Sequence, residues 1–433
     1  MQIPVLKREV GPKGATIIGL GSMLGTGVYI ALGLASGFVG YYIFLSIFIA
    51  GGLAICNGFS SAQLAANHPT SGGSYEFGRI HLGKEIGFVA GWVFILAKGA
   101  SAAAASLAIS WYLKSYFNIE YEHFDKLFPV VTILILGCII QMGLRITIIV
   151  NTIIVLITVI TLVSIIIFGL FLAHKTGNVQ LTALPKHFAD TPFFPSFLYA
   201  TSIVFVAFTG YSRIATMAED MKSPGTTIRF AIFFSILIVA FLYIGVALTG
   251  LSVLGPDKFS DFSENNVAPL FGIADKLSSE YLRLLVSIGA VTAMLGVMLN
   301  LILGVSRVFL AMGRNGDMPR FLATIKNSNP TYAIIFACLV VLGLMLAGDI
   351  KSNWSLSAFK VLIYYSITNL AALKLKAEDR FYPRWVSYLG LSGCLLLVVF
   401  FEHKTLLQGT YLILAGIIWF YVFLLINRFR VSR

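Results

Sequence analysis

Charged side chains are scarce in this sequence. Asp, Glu, Lys and Arg make up 12% of its 433 residues, whereas hydrophobic residues reach 58% and the mean hydropathy is +0.88. Because soluble domains carry about 25% charged residues, this composition excludes a soluble globular protein and favours a chain that crosses a membrane many times. No cleavable signal peptide is recognisable, since the short polar start through Lys13 runs into an apolar segment that is too long for one.

Cysteine and histidine are also rare. The four cysteines all fall inside apolar segments and show neither disulfide nor metal-ligand spacing: Cys56, Cys138, Cys338 and Cys394. The six histidines all map to loops or segment ends: His68, His81, His123, His174, His187 and His403. A membrane-embedded enzyme needs a nucleophile–base pair or a metal cluster at membrane depth, so this distribution argues against one. No metal site is predicted, and no ring of charge indicates a channel.

Long polar connections are missing as well. Apolar runs of about 20 residues, the length that crosses a bilayer, occur twelve times. They lie near 14–37, 41–66, 85–113, 128–145, 147–173, 193–217, 229–254, 281–311, 330–347, 355–374, 385–401 and 405–427. The connections between them are too short for an independent soluble domain, so residues 1–433 are predicted to form a single transmembrane domain.

Lys and Arg are distributed unevenly over these connections. With a cytoplasmic N-terminus, the cytoplasmic side receives more than twice as many Lys and Arg residues as the outer side, as the positive-inside rule requires. The formal net charge of +12 is therefore a topological signal and does not indicate nucleic-acid binding. The predicted location is the plasma or inner membrane of the cell, with both termini cytoplasmic.

The first apolar segment is interrupted by glycine. Gly19-Leu20-Gly21-Ser22-Met23-Leu24-Gly25-Thr26-Gly27 contains four glycines in nine residues, and each glycine costs a helix up to about 1 kcal/mol relative to alanine. An opened backbone at membrane depth is tolerated where it is buried in protein or lines a watery cavity, which predicts a binding site. The alternative is a close helix–helix contact through Gly21 and Gly25.

A second interruption lies in the sixth apolar segment. Phe208-Thr209-Gly210-Tyr211-Ser212 breaks the run 193–217, and charged residues follow at Arg213 and at Glu219-Asp220. The two interrupted segments are the first and the sixth, so each opens a block of five. Interrupted helices at corresponding places in two halves indicate the substrate site of a secondary transporter.

Several further passages complete a family pattern between residue 14 and about residue 320. They are His68-Pro69-Thr70-Ser71-Gly72-Gly73-Ser74-Tyr75, Gly91-Trp92, Ala207-Phe208-Thr209-Gly210-Tyr211 with Glu219, Lys222, Pro224 and Arg229, and Ser306-Arg307 with Arg314-Asn315-Gly316-Asp317-Met318-Pro319. Together with the first interrupted segment, they resemble the amino acid–polyamine–organocation transporters. The likeness is close to the bacterial amino acid permeases and the cationic amino acid transporter branch.

This resemblance implies an all-α membrane protein of twelve transmembrane helices. Its expected architecture is the leucine-transporter-like 5+5 inverted repeat, with repeats at 14–173 and 193–374, two additional helices at 385–427, and broken helices 1 and 6. The implied function is a permease that moves an amino acid across the lipid bilayer by alternating access. No cofactor is implied, and the fold does not require an oligomer.

The two interruptions predict the substrate contacts. Backbone N–H groups at Ser22, Gly25, Thr26 and Gly27 are expected to receive the α-carboxylate, and carbonyls between Phe205 and Thr209 the ammonium group. Ser22 and Thr26 either add hydroxyl contacts or cap the broken ends.

Aromatic residues are the candidates for the wall or gate over the substrate side chain. They are Phe205, Phe208 and Tyr211, with Tyr364 and Tyr365 as weaker candidates. A polyamine or organic-cation transporter of the same fold remains the alternative function. It needs acidic side chains in the pocket, and segments one, three, six, eight and ten contain none except near their ends.

Glu219 and Asp220 lie at the cytoplasmic end of the sixth segment, near Arg213, Lys222 and Arg229 in sequence. One interpretation is a cytoplasmic gate of ion pairs that break when the transporter opens inward, with Glu219 as the favoured member. The other is a set of solvated loop charges, worth about 0–1 kcal/mol per pair.

Ion coupling is where the sequence departs from the family it resembles. Many members carry a lysine midway along the fifth segment, but here nothing between Arg145 and Lys175 is formally charged, and the counterpart region is Ile157-Thr158. Lys98 instead lies about 20 Å into the third segment. It either couples transport to protons or is a fixed charge paired with carbonyls. Sodium coupling through hydroxyls of the eighth segment, at Ser287 and Thr292, is a further possibility.

Overall fold

The computed structural model describes residues 8–117, 119–121, 123–176, 184–186, 188, 192–264, 269–276, 280–326, 329–348, 350–401 and 403–431. Apart from three isolated bridges, regular structure in these residues is helical. The first helices are α1 (Pro12–Met23), α2 (Leu32–Val39), α3 (Ile43–Asn67), α4 (Ser74–His81), α5 (Lys84–Phe117), α6 (Phe124–Gln141) and α7 (Leu144–Thr176). They are followed by α8 (Phe193–Phe208), α9 (Ser212–Thr216), α10 (Pro224–Leu254), α11 (Pro256–Glu264) and α12 (Pro269–Lys276). The last are α13 (Glu280–Arg314), α14 (Thr331–Ala347), α15 (Ile350–Leu373), α16 (Arg384–Val399) and α17 (His403–Val431).

Most of these helices are apolar enough to cross a membrane. In the described part of the chain, eight helical segments have sufficient length and hydropathy, and the first of them, Pro12–Asn67, is 56 residues long. Three shorter apolar helices accompany them, at Thr331–Ala347, Ser357–Leu373 and Arg384–Val399. The helix bounds agree with the apolar segments predicted from the sequence to within a few residues. The all-helical membrane class is therefore confirmed.

The first interruption is a true break in the helix. α1 ends at Met23, and Leu24 leaves helical geometry with φ −80° and ψ 77°. The chain re-enters a helix as a wide π-helical turn over Gly27–Ala31 before α2 begins. Glycine supplies this flexibility at low steric cost, so the predicted break lies where the glycines cluster.

The second interruption is tighter. α8 ends at Phe208, a 3₁₀ turn spans Thr209–Tyr211, and α9 continues directly from Ser212. The axis of the segment therefore changes without a gap in helical backbone. A 3₁₀ turn within a longer helix often marks a functional hinge.

The two interrupted segments lie inside the bundle. α1 packs against α7, α10 and α13, while α5 runs between α13 and α15. The apolar window of α5 is 89% buried, whereas that of α17 is only 17% buried. α5 is thus a central element and α17 lies at the edge, which leaves the interior of the bundle to the broken segments and their neighbours.

Candidate functional site

The two breaks touch each other. A Cβ atom added to Gly210 would lie 2.4 Å from the Ser22 carbonyl oxygen, and one added to Gly27 would lie 2.6 Å from the Ala207 side chain. The hydroxyl of Tyr243 in α10 donates to the carbonyls of both segments, at 2.8 Å to Met23 and 3.0 Å to Ala207. The predicted pairing of the first and sixth segments therefore has a direct structural basis.

The glycines of the first break lie against neighbouring helices. A Cβ at Gly25 would lie 2.2 Å from a methyl group of Val297 in α13. One at Gly21 would lie 2.3 Å from Asn151 and 2.8 Å from Asn300. The close helix contact proposed as an alternative is therefore present, together with the break. The two interpretations are not exclusive, because the break and the close packing are both present. The Gly25 N–H donates to the Met23 carbonyl at 3.0 Å in this structure, so its contact with a substrate carboxylate stays a prediction.

Neither hydroxyl of the first break caps a helix end in the way the sequence suggested. The Ser22 hydroxyl donates to the Ile18 carbonyl at 2.7 Å, one turn back inside α1. Thr26 is buried and makes no side-chain capping bond at the start of the π-helical turn. Capping is therefore wrong for both residues, and substrate contact by either hydroxyl stays a prediction.

Carbonyl groups of the second break already accept hydrogen bonds. The Thr209 carbonyl accepts from Lys98 Nζ at 3.3 Å, from the Tyr365 hydroxyl at 3.0 Å and from the Ser212 hydroxyl at 3.0 Å. The Val206 carbonyl accepts from the Thr209 hydroxyl at 2.7 Å, and the Ala207 carbonyl from Tyr243. The protein itself therefore engages the carbonyls of Val206, Ala207 and Thr209 in this conformation, and contact between the carbonyls of this stretch and a substrate ammonium group stays a prediction.

The aromatic candidates separate into two groups. Phe205 and Tyr211 both contact the ring of Tyr365, with centroids 6.0 Å and 5.3 Å away. Phe208 packs instead on Tyr243, 4.9 Å between centroids. The structure thus brings Phe205, Tyr211 and the weaker candidate Tyr365 together, and Phe208 lies with α10.

Lys98 is a buried cation that contacts the second break. Its side chain is 2% exposed, and its ammonium group donates to both the carbonyl and the hydroxyl of Thr209, at 3.3 Å and 3.2 Å. It also lies 5.6 Å from the ring centroid of Tyr364. These contacts are the carbonyl pairing that the sequence offered as one interpretation, and they connect a titratable group to the second break.

The fifth and eighth segments meet through hydroxyls and amides. The hydroxyls of Thr158 in α7 and Thr292 in α13 lie 3.5 Å apart. Ser287 donates to the Arg283 carbonyl within α13. Asn151 of α7 forms a hydrogen bond to α1. Its amide donates to the Ile17 carbonyl at 3.1 Å and accepts from Asn300 at 2.6 Å.

The acidic pair after the second break is buried and ion-paired. Glu219 is 7% exposed and accepts two bonds from Arg314, at 2.8 Å and 3.1 Å, and one from the Ser71 hydroxyl at 2.7 Å. Asp220 is 1% exposed and accepts two bonds from Arg307, at 3.0 Å and 3.1 Å. The solvated interpretation is wrong. These ion pairs use α13 residues and not the sequence neighbours.

The glycine pair of the loop before α4 explains why that motif is needed. Gly72 and Gly73 have φ of +116° and +52°, which favour glycine. A Cβ at Gly73 would also lie 2.8 Å from the Thr216 hydroxyl. The loop can therefore pack directly against α9, which places the Ser71 hydroxyl within hydrogen-bond distance of Glu219.

Two carboxyl groups near these ion pairs have an altered pKa. Burial raises the pKa of Glu76 to about 7, opposed by its hydrogen bond from Asn315 and by Arg79. Burial also raises the pKa of Asp220, and Arg307 opposes that shift. On the same layer, Asp317 accepts from Arg79 and Tyr75, both at 2.6 Å.

Sequence reasoning missed four residues that organise the site: Tyr243, Asn151, Asn300 and Arg213. The two asparagines carried a signal, because polar side chains inside apolar segments are expensive and face the bundle interior. Arg213 was assigned to the cytoplasmic side, yet its side chain is 0% exposed within the protein. Among the described residues, no three His, Cys, Asp or Glu side chains gather into a potential metal site.

Two interrupted helices in contact inside a bundle of apolar helices are typical of one class of protein, the secondary membrane transporters. Over residues 10–426, the sequence matches a family described as amino acid permease. The chain belongs to this amino acid permease family, within the amino acid–polyamine–organocation superfamily, and is a transporter and not an enzyme.

Curated relatives agree with this membership. An uncharacterized transporter of Mycobacterium tuberculosis is 32% identical over 417 residues, covering 95% of this chain and 90% of that protein. The branched-chain amino acid permease BcaP of Bacillus subtilis is 25% identical over 455 residues, covering 96% and 93%. The vacuolar cationic amino acid transporter 4 of Arabidopsis thaliana is 27% identical over 337 residues, covering 74% and 55%.

Proposed function

We propose that this protein is a secondary transporter that moves amino acids across the membrane by alternating access. The observation that carries the proposal is the contact between the two breaks, where Gly210 lies against the Ser22 carbonyl. The opened backbone of the first segment and the 3₁₀ turn of the second thereby meet at one point inside an apolar bundle, as in transporters with a central site. The names of the relatives BcaP and cationic amino acid transporter 4 support an amino acid as the substrate.

The proposed architecture has twelve membrane passes in a leucine-transporter-like fold. The 56-residue segment Pro12–Asn67 turns at Gly40, where φ is 55°, and is long enough for two passes. The three shorter apolar helices bring the total to twelve. The repeats are assigned to 14–173 and 193–374, with an additional pair at 385–427, and both termini are assigned to the cytoplasm.

Substrate recognition is assigned to the two breaks. A zwitterion loses hydration from both charges on entering the membrane interior, and each charge needs compensation there. The N–H groups at Gly25, Thr26 and Gly27 are assigned to the α-carboxylate because the helix that follows presents its positive end there. The Gly25 N–H must exchange its present bond to the Met23 carbonyl for the substrate. The ammonium group falls to backbone acceptors outside Val206, Ala207 and Thr209, whose carbonyls already accept side-chain hydrogen bonds.

The ion pairs of Glu219 and Asp220 are proposed as the cytoplasmic gate. They join the segment after the second break to α13 and, through Ser71, to the loop before α4. The N-terminal segment takes part as well, because the Val10 N–H donates to the Asp220 carbonyl at 3.1 Å. Inward opening would separate these elements, and the free-energy cost of breaking the buried ion pairs would favour the closed gate.

Proton coupling through Lys98 is the proposed energy source. Loss of the proton would weaken the two bonds from its ammonium group to Thr209 and so alter the second break. The alternatives are amino acid exchange without ion coupling, and sodium coupling through Thr158, Ser287 and Thr292. The 3.5 Å contact between Thr158 and Thr292 supports the sodium alternative.

Uptake into liposomes tests the function. The purified protein is reconstituted, and each of the twenty amino acids competes with a labelled one. The proposal expects saturable uptake that amino acids inhibit and that spermidine and putrescine leave unchanged. Uptake of the polyamines without uptake of amino acids would assign the same fold to organic cations instead.

A further inference from the structure

Arg213 is buried without the hydrogen-bond partners that an arginine with a purely structural role has. Its guanidinium group is fully buried and covers Gly304 of α13, where an added Cβ would lie 0.6 Å from Nη1. It lies 5.8 Å from the ring centroid of Phe94 in α5. None of its three nitrogens has a hydrogen-bond partner among the described residues. Glycine at 304 makes room for a charged group whose five N–H donors remain unused.

Two lysines extend this positive charge. Lys98 and Lys360 are 2% and 1% exposed. The ring of Tyr364 connects Lys98 to Arg213, since it lies 5.6 Å from Lys98 Nζ and 5.2 Å from the ring of Phe94, on which Arg213 packs. Lys360 precedes Tyr364 by one turn on the same face of α15. We call Arg213, Lys98 and Lys360 the buried cation column.

Acidic residues do not neutralise the column. The sequence contains no Asp or Glu within 14–37, 86–113, 193–217, 281–311 or 355–374. At the cytoplasmic layer, Asp220 is bound by Arg307, Glu219 by Arg314 and Asp317 by Arg79. Two arginines of α13, Arg307 and Arg314, each bind a carboxylate with two hydrogen bonds. Arg213, which packs against the same helix, binds none.

A carboxylate is the ligand that fits this arrangement. A buried charge without a partner costs several kcal/mol, and the planar guanidinium fork matches a carboxylate in a bidentate geometry. Arg213 follows Thr209 by four residues and so lies on the same face of the segment, about one turn away. A short acidic side chain spans that distance from an α-carbon bound at the breaks.

We propose that the transported amino acid carries a side-chain carboxylate, which Arg213 receives while Lys98 and Lys360 supply further positive charge. This inference rests on the proposed transport function and assigns its substrate class as acidic amino acids. It separates this chain from its relatives named for branched-chain and cationic amino acids.

The test compares substrates that differ only in charge. Full-length wild-type protein in liposomes is assayed at pH 7 with labelled L-glutamate and L-glutamine, L-aspartate and L-asparagine, and L-lysine. The expected kcat/KM for glutamate exceeds that for glutamine by at least about tenfold, because the charged hydrogen bonds are lost with the amide. Equal or better transport of glutamine, or a preference for lysine, overturns the proposal.

Two variants test whether Arg213 is responsible for the preference for glutamate over glutamine. Arg213→Gln should reduce the glutamate-to-glutamine ratio at least about tenfold, and Arg213→Lys should retain part of it, since charge remains but the fork is lost. Arg229→Gln is the matched control, because its guanidinium group packs on Phe381 and donates to the Gly225 carbonyl away from the column. An unchanged ratio in Arg213→Gln contradicts the assignment.

Inorganic anions share the chemistry of a carboxylate, so chloride is replaced by gluconate in a parallel series. Neutral amino acid uptake that requires chloride in the wild type, and loses that requirement in Arg213→Gln, would assign the column to chloride and overturn the proposal. If Arg213→Gln does not fold, thermal unfolding of wild-type protein decides: glutamate must raise Tm more than glutamine. Absence of uptake for every amino acid would reject the transport function itself, a result distinct from a neutral preference.

Discussion

The two breaks are built differently, although they touch. The first is opened by glycines that pack against α13 and the second break. The second contains one 3₁₀ turn, and side chains cover its carbonyls: Lys98, Tyr365, Ser212, Tyr243 and Thr209. Backbone packing therefore forms one half of the site and polar side chains form the other.

This difference predicts a division of roles. Changes at the first break should alter binding of any amino acid, because all amino acids share the α-carboxylate assigned to its N–H groups. Changes around the second break should alter the response to ions and to the substrate side chain, because Lys98 and Arg213 lie there. The predictions for Gly25, the α-carboxylate and Lys98 separate these two outcomes.

Gly25→Leu should produce the largest effect. The added side chain begins 2.2 Å from a methyl group of Val297 and fills the break, so uptake of every amino acid should fall at least about 100-fold, since overpacking and loss of the anion site combine. Gly52→Leu in α3 is the matched control, because an added Cβ there has nothing within 4 Å. Proteoliposome uptake and size-exclusion chromatography are measured for both variants.

A second-site change sharpens this result. Gly25→Ala collides with the same methyl group, and Val297→Ala removes it, so the double variant should regain uptake that Gly25→Ala loses. Recovery would show that backbone approach, and not glycine flexibility, is what position 25 requires. Normal uptake by Gly25→Leu would instead remove the first break from the substrate site.

The α-carboxylate requirement should have the next largest effect. An amine without the carboxylate, or an α-amide, lacks the charge assigned to the first break, and a charged hydrogen bond contributes about 1.5–3 kcal/mol. Either analogue should compete with its parent amino acid roughly 10–100-fold less well in uptake assays. An analogue that competes equally would contradict recognition by the N–H groups at Gly25, Thr26 and Gly27.

Sequence alone predicted the location of both breaks, because glycine and hydroxyl residues inside apolar segments have few structural uses in a membrane. It also identified Glu219 and Lys98 as unusual. It could not predict the partners Arg314 and Thr209, which lie 95 and 111 residues away and depend on how each helix is rotated. The burial of Arg213 could not be predicted for the same reason: next to a helix end, a charged residue is expected in solvent, and its packing on Gly304 and Phe94 depends on the rotation of the helices.

Lys98→Met tests the second break. Wild-type uptake should respond to an imposed inward proton gradient, whereas the variant should retain only exchange that ignores the gradient, because the titratable donor to Thr209 is gone. Lys222→Met, at an exposed loop position, is the control. A pH response that survives in Lys98→Met excludes this residue, and a response to sodium alone would favour Thr158, Ser287 and Thr292.

Glu76→Gln should have the smallest effect, a change in the pH dependence of Tm, and should alter neither break. The folded pKa of about 7 lies above the ordinary 4.5, so Glu76 contributes stability below about pH 4.5 that is lost as pH rises to about 7. The variant should therefore gain Tm relative to wild type as pH rises through that window. Glu378→Gln, whose carboxylate is largely exposed beside Lys376, should show no such trend in thermal unfolding from pH 4.5 to 8.

The most direct test of the shared site is a cryo-electron microscopy structure with the amino acid that gives the highest uptake. We expect density for the amino acid between the two breaks. Its α-carboxylate should lie against the N–H groups at Gly25, Thr26 and Gly27, and its side chain should point towards Tyr365 and Arg213. Density for the same transported amino acid elsewhere, with nothing bound between the breaks, would contradict the account.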